Sequence, residues 1–317
     1  MKVLITRQLP GKIEELFAAE GFEVVVNKKD EPAPESFFLK NAKDADGIIS
    51  MLSEKIDSGI IEQLHKCRII ANYAVGYNNI DIAAAKKKNI IVTNTPGILT
   101  NATADIAASL VLACSRNIVE GDRLVRAGKF TGWKPEMLLG IELKDKVAGI
   151  VGAGRIGQET AKRLKAFGMK IIYYNKSRKE NFENETGARK VSLEKLLQTS
   201  DVISVHLPLT ESTLHLIDKV KLSLLKSTAI FINTARGEVI DEPALIKLLK
   251  QKKIFSAGFD VYENEPKVNP ELIKLKNVVL LPHIGSATFT TRIGMANLAA
   301  KNVINVLKGK KAITPVW

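Results

Sequence analysis

Three polar residues able to move a proton and hold an anion follow apolar runs in the C-terminal half of this 317-residue chain. Arg236 lies in Asn233-Thr234-Ala235-Arg236-Gly237, directly after the run 229–233. Glu265 lies in Asp260-Val261-Tyr262-Glu263-Asn264-Glu265-Pro266, and His283 in Leu281-Pro282-His283-Ile284-Gly285-Ser286. The carboxyl ends of strands are where open α/β sheets bind ligands. A histidine exchanges a proton near neutral pH. A carboxylate accepting from its other ring nitrogen would fix the tautomer and favour the imidazolium. An arginine fork grips a carboxylate in a geometry lysine cannot reproduce. From spacing alone, any one of the three could equally be a structural hydrogen-bonder.

A second piece of chemistry lies upstream. Gly152-Ala153-Gly154-Arg155-Ile156-Gly157 follows the apolar run 147–151 and precedes an amphipathic helical pattern over 158–167. Three glycines at this spacing are a weak signal alone and a strong one between a strand and a helix. Gly152 makes the tight turn, Gly154 lets backbone approach a pyrophosphate, and Gly157 allows close packing of helix on strand. The helix N-terminus then supplies unpaired N–H groups and a positive dipole for phosphates. The alternative is an ordinary glycine turn. At the end of the next run an NAD site usually carries an Asp or Glu, about 20 residues into the motif. Here Asn175-Lys176-Ser177-Arg178-Lys179 offers no acid. A 2′-phosphate would meet amide, hydroxyl and cationic groups, so NADP(H) is the expected preference, with NAD(H) also accepted. The bland rival is a solvated basic turn with relaxed cofactor choice.

The elements needed to position these residues are legible as alternating β-rich runs and helical patterns. The runs 2–6, 23–26, 47–50, 69–73 and 90–93 predict βα units around a parallel sheet. Asn94-Thr95-Pro96-Gly97 stops the pattern. A long helix is predicted over 103–118, with Ile106, Leu110, Cys114 and Ile118 on one face, carrying the chain into a second domain. There the runs 147–151, 170–174, 202–206, 229–233 and 278–281, with a short 256–259, predict a doubly wound sheet. The last helix, 293–307, lies beyond the final strand and is expected to return to the first domain.

Composition limits the alternatives. At this length two domains are the default. Hydrophobic residues at 45% and charged residues at 26% are those of a chain that folds throughout. The net charge of +13 comes from dispersed lysines, densest at Lys86 to Lys88 and without interleaved aromatics, so no nucleic-acid role is expected. A positive field draws in small anions instead. Cys67 and Cys114 sit among apolar residues, as reduced buried thiols do. The apolar stretch at 1–6 is too short for a signal peptide, and no run approaches the roughly 18 residues of a membrane helix. A soluble, cytoplasmic protein with no membrane partner is expected.

Taken together, the Arg236, Glu265 and His283 motifs in this order resemble the D-2-hydroxyacid dehydrogenase family. So do Asn72-Tyr73-Ala74-Val75-Gly76-Tyr77-Asn78-Asn79-Ile80-Asp81 and Val92-Thr93-Asn94-Thr95-Pro96-Gly97. Within it, Met51-Leu52-Ser53-Glu54-Lys55-Ile56-Asp57 and Gly132-Trp133-Lys134-Pro135 are most similar to the glyoxylate and hydroxypyruvate reductases. The resemblance implies a Rossmann-type dinucleotide domain at 99–287. It also implies a flavodoxin-like, sequence-discontinuous α/β substrate domain at 1–98 plus 288–317. The implied activity is NAD(P)H-dependent reduction of a small 2-oxo acid, glyoxylate or hydroxypyruvate, to the D-2-hydroxy acid.

In that reaction His283 would give the proton to the carbonyl oxygen, Glu265 would orient it, and Arg236 would grip the carboxylate and polarise the carbonyl. By resemblance, Leu52, the backbone amides of Val75 and Gly76, and Ser286 complete the substrate site. Trp133 either packs in the core or reaches a partner subunit's substrate site. The same resemblance extends the cofactor contacts to Thr103, Pro208, Thr213, Thr234, Ala235 and Gly285. Asp260 would hold the nicotinamide carboxamide or cap the following turn, and His206 is cofactor-side or merely structural. His65 and His215 have no motif support and are expected at the surface. No metal is required, since no Cys, His and carboxylate cluster has ligand spacing. The apolar-faced segment 99–139, with Phe130 and Trp133, is expected to build a homodimer. The same scaffold would also serve D-lactate, D-glycerate 3-phosphate, phosphite or formate oxidation. An NAD-sensing corepressor is the non-enzymatic alternative, though no appended regulatory tail or repeat is seen.

Overall fold

Runs of Val, Ile and Leu with few interruptions are what strands buried on both faces require, and the chain folds around two such sheets. The structure, a computed structural model, describes residues 1–29 and 31–317. These form two compact units, Met1–Leu99 with Ala287–Trp317, and Thr100–Ser286.

In the first unit the strands are β1 (Lys2–Ile5), β2 (Glu23–Val26), β3 (Gly47–Ser50), β4 (Ile69–Asn72) and β5 (Ile91–Thr93). All are parallel, in the order β2-β1-β3-β4-β5. That is the flavodoxin-like order, whose direction of winding switches between β1 and β3. Alternate residues feed alternate faces: Val3, Ile5, Ile49 and Ala71 pack on Ala296, Ala299, Ala300 and Val303 of the final helix. Leu4, Ile48, Ile70 and Val92 meet Phe38, Ile61, Leu64 and Ala85 on the other face. The final helix therefore belongs to the first unit, which makes that unit discontinuous in sequence. It spans Phe289–Leu307, four residues longer at its start than its apolar pattern predicts, because the Thr288 side chain accepts from Thr291 N–H and caps it there.

The second unit holds β6 (Val147–Val151), β7 (Lys170–Tyr174), β8 (Arg189–Lys190), β9 (Val202–Val205), β10 (Ile230–Asn233), β11 (Ser256–Phe259) and β12 (Val278–Leu280). They form one parallel sheet in the order β12-β11-β10-β9-β6-β7-β8. This is the Rossmann order, with its switch point between β6 and β9. The short, exposed edge strand β8 has no apolar signal and was not expected from sequence.

The helix predicted over 103–118 is corrected. It runs Thr100–Ser115, and a separate helix, Ile118–Arg126, leaves it at a 66° bend. Asn117 between them adopts a left-handed conformation, φ 51°, which ends the first helix and turns Ile118 out to solvent. Among the described residues no single helix is long and apolar enough to cross a membrane. Cys67 and Cys114 are buried and free, and burial pushes each thiol up to about 12.

Candidate active site

Register gathers the candidate residues of the second unit on one edge of its sheet. Tyr174, Val151, Val205, Asn233, Phe259 and Leu280 are successive partners across the six strands β7, β6, β9, β10, β11 and β12. The chain leaves this row at Asn175, Gly152, His206, Thr234, Asp260 and Leu281. Each departure point is thus at the carboxyl edge, and the next few residues of every loop share that edge.

At the switch point the glycine loop has the form a dinucleotide needs. Gly152 has φ 99°, and a Cβ there would lie 2.9 Å from the carbonyl of His206, so neither conformation nor space admits a side chain. A Cβ on Gly157 would lie 2.1 Å from the carbonyl oxygen of Gly152, which shows how closely the helix Arg155–Ala166 packs on the loop. Gly154, the N-cap, is different: a Cβ there would meet nothing within 4 Å. Open space over Gly154 at a helix N-terminus fits a pyrophosphate. The buried Thr234 hydroxyl, unpartnered among the described residues, is a further polar group at the same edge of the sheet. Arg155 and Ile156 open the helix, and Ala235 follows Thr234 in the same loop.

Around this loop the cofactor-side candidates are tied to one another. Thr213 donates to the Pro208 carbonyl at 2.7 Å and accepts from Thr210 N–H at 2.8 Å, closing the loop after β9. His206 hydrogen-bonds Ser204 at 2.8 Å, and desolvation lowers its pKa to about 3, so the ring is neutral. Its ring thus serves the β9 strand end, while its backbone lies against Gly152. Thr103 donates to the Gly285 carbonyl at 3.1 Å, linking the helix Thr100–Ser115 to the His283 segment.

The turn after β7 is built by its own side chains. Asn175 Nδ2 donates to the Ser177 carbonyl at 2.9 Å and to its hydroxyl at 3.2 Å, and Lys176 Nζ donates to Ser212 at 3.3 Å. Arg178 is not a lone cation: its Nε donates to Glu183 Oε2 at 2.8 Å. The Tyr173 hydroxyl donates to the other Glu183 oxygen at 2.7 Å. The hydrogen bonds from Tyr173 and Arg178 hold the Glu183 carboxyl below its ordinary range. Sequence reading missed Glu183; an acid five positions after Arg178, at the start of a helix, was the available signal.

The catalytic candidates meet in one cluster. His283 Nδ1 and Glu265 Oε2 are 2.8 Å apart, and Glu265 Oε1 accepts from Tyr262 N–H at 3.0 Å. Burial works to raise the Glu265 carboxyl. The hydrogen bond and charge of His283, the Tyr262 N–H and the Arg236 charge outweigh it, and the net shift is downward. Asp260 accepts from Ile284 and Gly285 N–H groups, both at 2.7 Å, while burial raises its pKa. Those two bonds seize the backbone just beyond His283, which sits in the left-handed region at φ 54°. A non-glycine residue there costs on the order of 1–2 kcal/mol and is found where surrounding structure imposes it. The Asp260 clamp and the Glu265 bond are that imposing structure. Arg236 is desolvated, which lowers its pKa against the opposing charges of Glu265 and Glu238, and it stays a cation. Asn233 brackets it, accepting from Ala235 N–H at 3.0 Å and donating to the Arg236 carbonyl at 2.8 Å. His215 is exposed and bonded to Glu263 at 2.9 Å, and His65 is exposed. Ser286 closes the second unit, and Trp133 is 79% exposed, which removes the core-packing alternative.

In the first unit, Leu52 follows β3 and Val75 and Gly76 follow β4, so all three lie at the carboxyl edge of that sheet. Leu52 is partly exposed. Asn94 donates to the Val75 carbonyl and Asn72 to the Gly76 carbonyl, both at 2.8 Å. Among the described residues no hydrogen bond uses the N–H groups of Val75 and Gly76, so this pair is available to an anion.

Residues 108–285 match the family described as D-isomer specific 2-hydroxyacid dehydrogenase, NAD binding domain. The chain is 52% identical to a glyoxylate reductase of Thermococcus litoralis over 98% of this chain and 94% of that protein. A solved structure from Thermus thermophilus superimposes with a TM-score of 0.94 at 41% identity, covering 100% of both chains. The NADPH-dependent glyoxylate/hydroxypyruvate reductase of Sinorhizobium meliloti, in complex with NADP and malonate, gives 0.89 at 33% identity over 99% of this chain and 96% of that one.

Proposed function

Because the chain belongs to the D-isomer specific 2-hydroxyacid dehydrogenase family, we propose that it reduces glyoxylate, and hydroxypyruvate beside it, with NADPH preferred over NADH. Membership makes it an oxidoreductase for NAD(P)H-dependent reduction of 2-oxo acids. The observation that carries the catalytic reading is the 2.8 Å contact between His283 Nδ1 and Glu265 Oε2; the identity to glyoxylate reductases supports the substrate, and the acid-free turn 175–179 supports the NADPH preference. With Nδ1 engaged, Nε2 is the nitrogen left to hold the exchangeable proton.

The nicotinamide, when bound, supplies the hydride that reduces the carbonyl carbon. His283 gives its Nε2 proton to the carbonyl oxygen, and Glu265 stabilises the ring while it is charged. Arg236 holds the substrate carboxylate and draws charge from the carbonyl. The amides of Val75 and Gly76 are the carboxylate donors of the first unit, and Leu52 is its apolar contact. In the second unit, the space over Gly154, the helix beginning at Arg155 and the Thr234 hydroxyl hold the dinucleotide. Asn175, Lys176 and Ser177 take the 2′-phosphate, with Arg178 reinforcing them from its ion pair. We extend the proposal to a homodimer. Ile118, Val125, Phe130, Trp133 and Leu139 are each more than half exposed along one segment, more apolar surface than a monomer needs to show.

Initial rates with glyoxylate, hydroxypyruvate, pyruvate and 3-phosphohydroxypyruvate, each with NADH and NADPH, test the reading. The highest kcat/KM is expected for glyoxylate with NADPH. A best rate on pyruvate or the phosphorylated acid would reassign the substrate. No turnover of any 2-oxo acid would favour the corepressor alternative.

A further inference from the structure

A buried carboxyl lies at the switch point of the first unit's sheet, between the loops that leave β1 and β3. Glu54 is 9% exposed. Its Oε2 accepts from the Thr6 hydroxyl, just after β1, at 2.8 Å, and from the Met51 N–H, just after β3. The same loop is held from its other side. Asn79 Nδ2 donates to the carbonyls of Met51 at 3.1 Å and Glu54 at 2.9 Å. Asn79 is itself fixed, since its Oδ1 accepts from Asn72 Nδ2 at 3.1 Å and its carbonyl accepts from Ile56 N–H at 2.8 Å. Asn72, fully buried, also donates to the Gly76 carbonyl at 2.8 Å and accepts from Ser50 at 3.1 Å.

Most buried polar groups are bonded, and networks of them specify one conformation; here Glu54 Oε2 is bonded, while Oε1 is buried without a partner among the described residues. This network spans three loops at one sheet edge. It holds Met51 and Glu54 on either side of Leu52, and it anchors the Gly76 carbonyl, at the end of the short segment that carries the amides of Val75 and Gly76. Burial raises the Glu54 carboxyl, against the pull of the Met51 N–H, the Thr6 hydroxyl and the Arg7 charge.

We infer that Glu54 is a positioning residue: through Met51, Asn79 and Asn72 it presets the Leu52 contact and the Val75–Gly76 amide pair for a small 2-oxo acid. The inference rests on the proposed function for the identity of that ligand. Its geometry is independent of it. Glu54 touches no reacting atom, so its loss acts on substrate binding through loop order.

The experiment compares E54A, E54Q and T6V with the wild type by amide hydrogen exchange of the unliganded protein and by steady-state kinetics. E54A is expected to raise exchange over 51–56 and 74–79 by ten-fold or more, with exchange in β10 and β11 unchanged. KM for glyoxylate should rise about ten-fold, with kcat within two-fold and the KM for NADPH unaltered. E54Q keeps an oxygen for the Met51 N–H and should recover most of both effects. T6V removes one donor at nearly constant shape and should give a smaller change in the same direction, which decides the matter if E54A does not fold. Unchanged exchange over 51–56 in E54A or T6V overturns the inference whatever the substrate proves to be. Raised exchange with an unaltered glyoxylate KM overturns the link to substrate while leaving the proposed function standing. A wild type that reduces no 2-oxo acid refutes the proposed function, and the exchange result still decides the clamp.

Discussion

Replacing Asn175 by aspartate should shift the cofactor preference toward NADH, by an amount the turn after β7 allows to be worked out. Asn175 Nδ2 donates to the Ser177 carbonyl and hydroxyl. An aspartate has no N–H to donate, so the variant loses about 1 kcal/mol of turn-holding bond. It also brings a negative charge to the place where a 2′-phosphate of about −1.5 to −2 would sit. In this exposed turn, at roughly 5 Å and near the dielectric of water, the repulsion is about 1–2 kcal/mol. The two effects together lower kcat/KM for NADPH roughly 30-fold or more. With NADH the carboxylate accepts from the 2′-hydroxyl for about 0.5–1.5 kcal/mol, which offsets the lost turn bond. Kinetics with both cofactors at fixed glyoxylate, at low and high salt, test this, because only the repulsive part fades with ionic strength. Adding Arg178→Ala should complete the reversal, chiefly through KM. Alone it should cost NADPH only a few-fold, because the guanidinium already shares its charge with Glu183. A wild type with the higher kcat/KM for NADH, or an N175D ratio equal to wild type, would refute the reasoning.

His283→Ala should lower turnover about 10²- to 10⁴-fold while leaving the dissociation constant for cofactor, measured by fluorescence titration, nearly intact, since a proton donor and not a phosphate contact is lost. Arg236→Lys should lower kcat/KM for glyoxylate on the order of 100-fold, in KM and kcat together, because a point charge replaces a fork in a desolvated site; wild-type kinetics would remove Arg236 from the site. Gly154→Ala should leave Tm almost unchanged, a Cβ there meeting nothing within 4 Å, yet raise the KM for both cofactors. Gly157→Ala, with its Cβ 2.1 Å from the Gly152 carbonyl, should lower Tm in a thermal melt. Sedimentation should find a dimer at micromolar concentration, and a monomer there would reject the assembly proposed on Phe130 and Trp133.

The strands were legible because parallel strands covered on both faces are nearly continuous apolar runs, and the runs read at 23–26, 147–151, 170–174 and 256–259 coincide with β2, β6, β7 and β11. Arg189–Lys190 was not, since a two-residue edge strand needs only backbone pairing and carries polar side chains. The break at Asn117 escaped periodicity because one left-handed residue redirects a helix without altering the apolar spacing on either side. His283, Glu265 and Arg236 could be named from their motifs, and the glycine loop from its place between strand and helix. What a one-dimensional pattern cannot carry is pairing between loops. Glu54 and Thr6, on loops after different strands, become neighbours only when separate segments are brought together.

That difference has a physical origin in how the two sheets expose their carboxyl edges. Apolar side chains bury in proportion to area and tolerate exchange, so they leave a periodic signature. A buried polar atom must find a specific partner or cost on the order of 1–3 kcal/mol, and the partner can lie anywhere the fold permits. The second unit shows the consequence at Asp260. Its two oxygens take the N–H groups of Ile284 and Gly285, and those bonds hold a histidine in a conformation its own residue type disfavours. The first unit shows it at Glu54, whose oxygen joins the ends of two strands that are neighbours only at the switch point. In both, a carboxyl set just behind the carboxyl edge fixes backbone at the edge itself. Exchanging either for a residue of similar size without acceptors should therefore disturb a loop and its ligand while leaving the sheet beneath it intact.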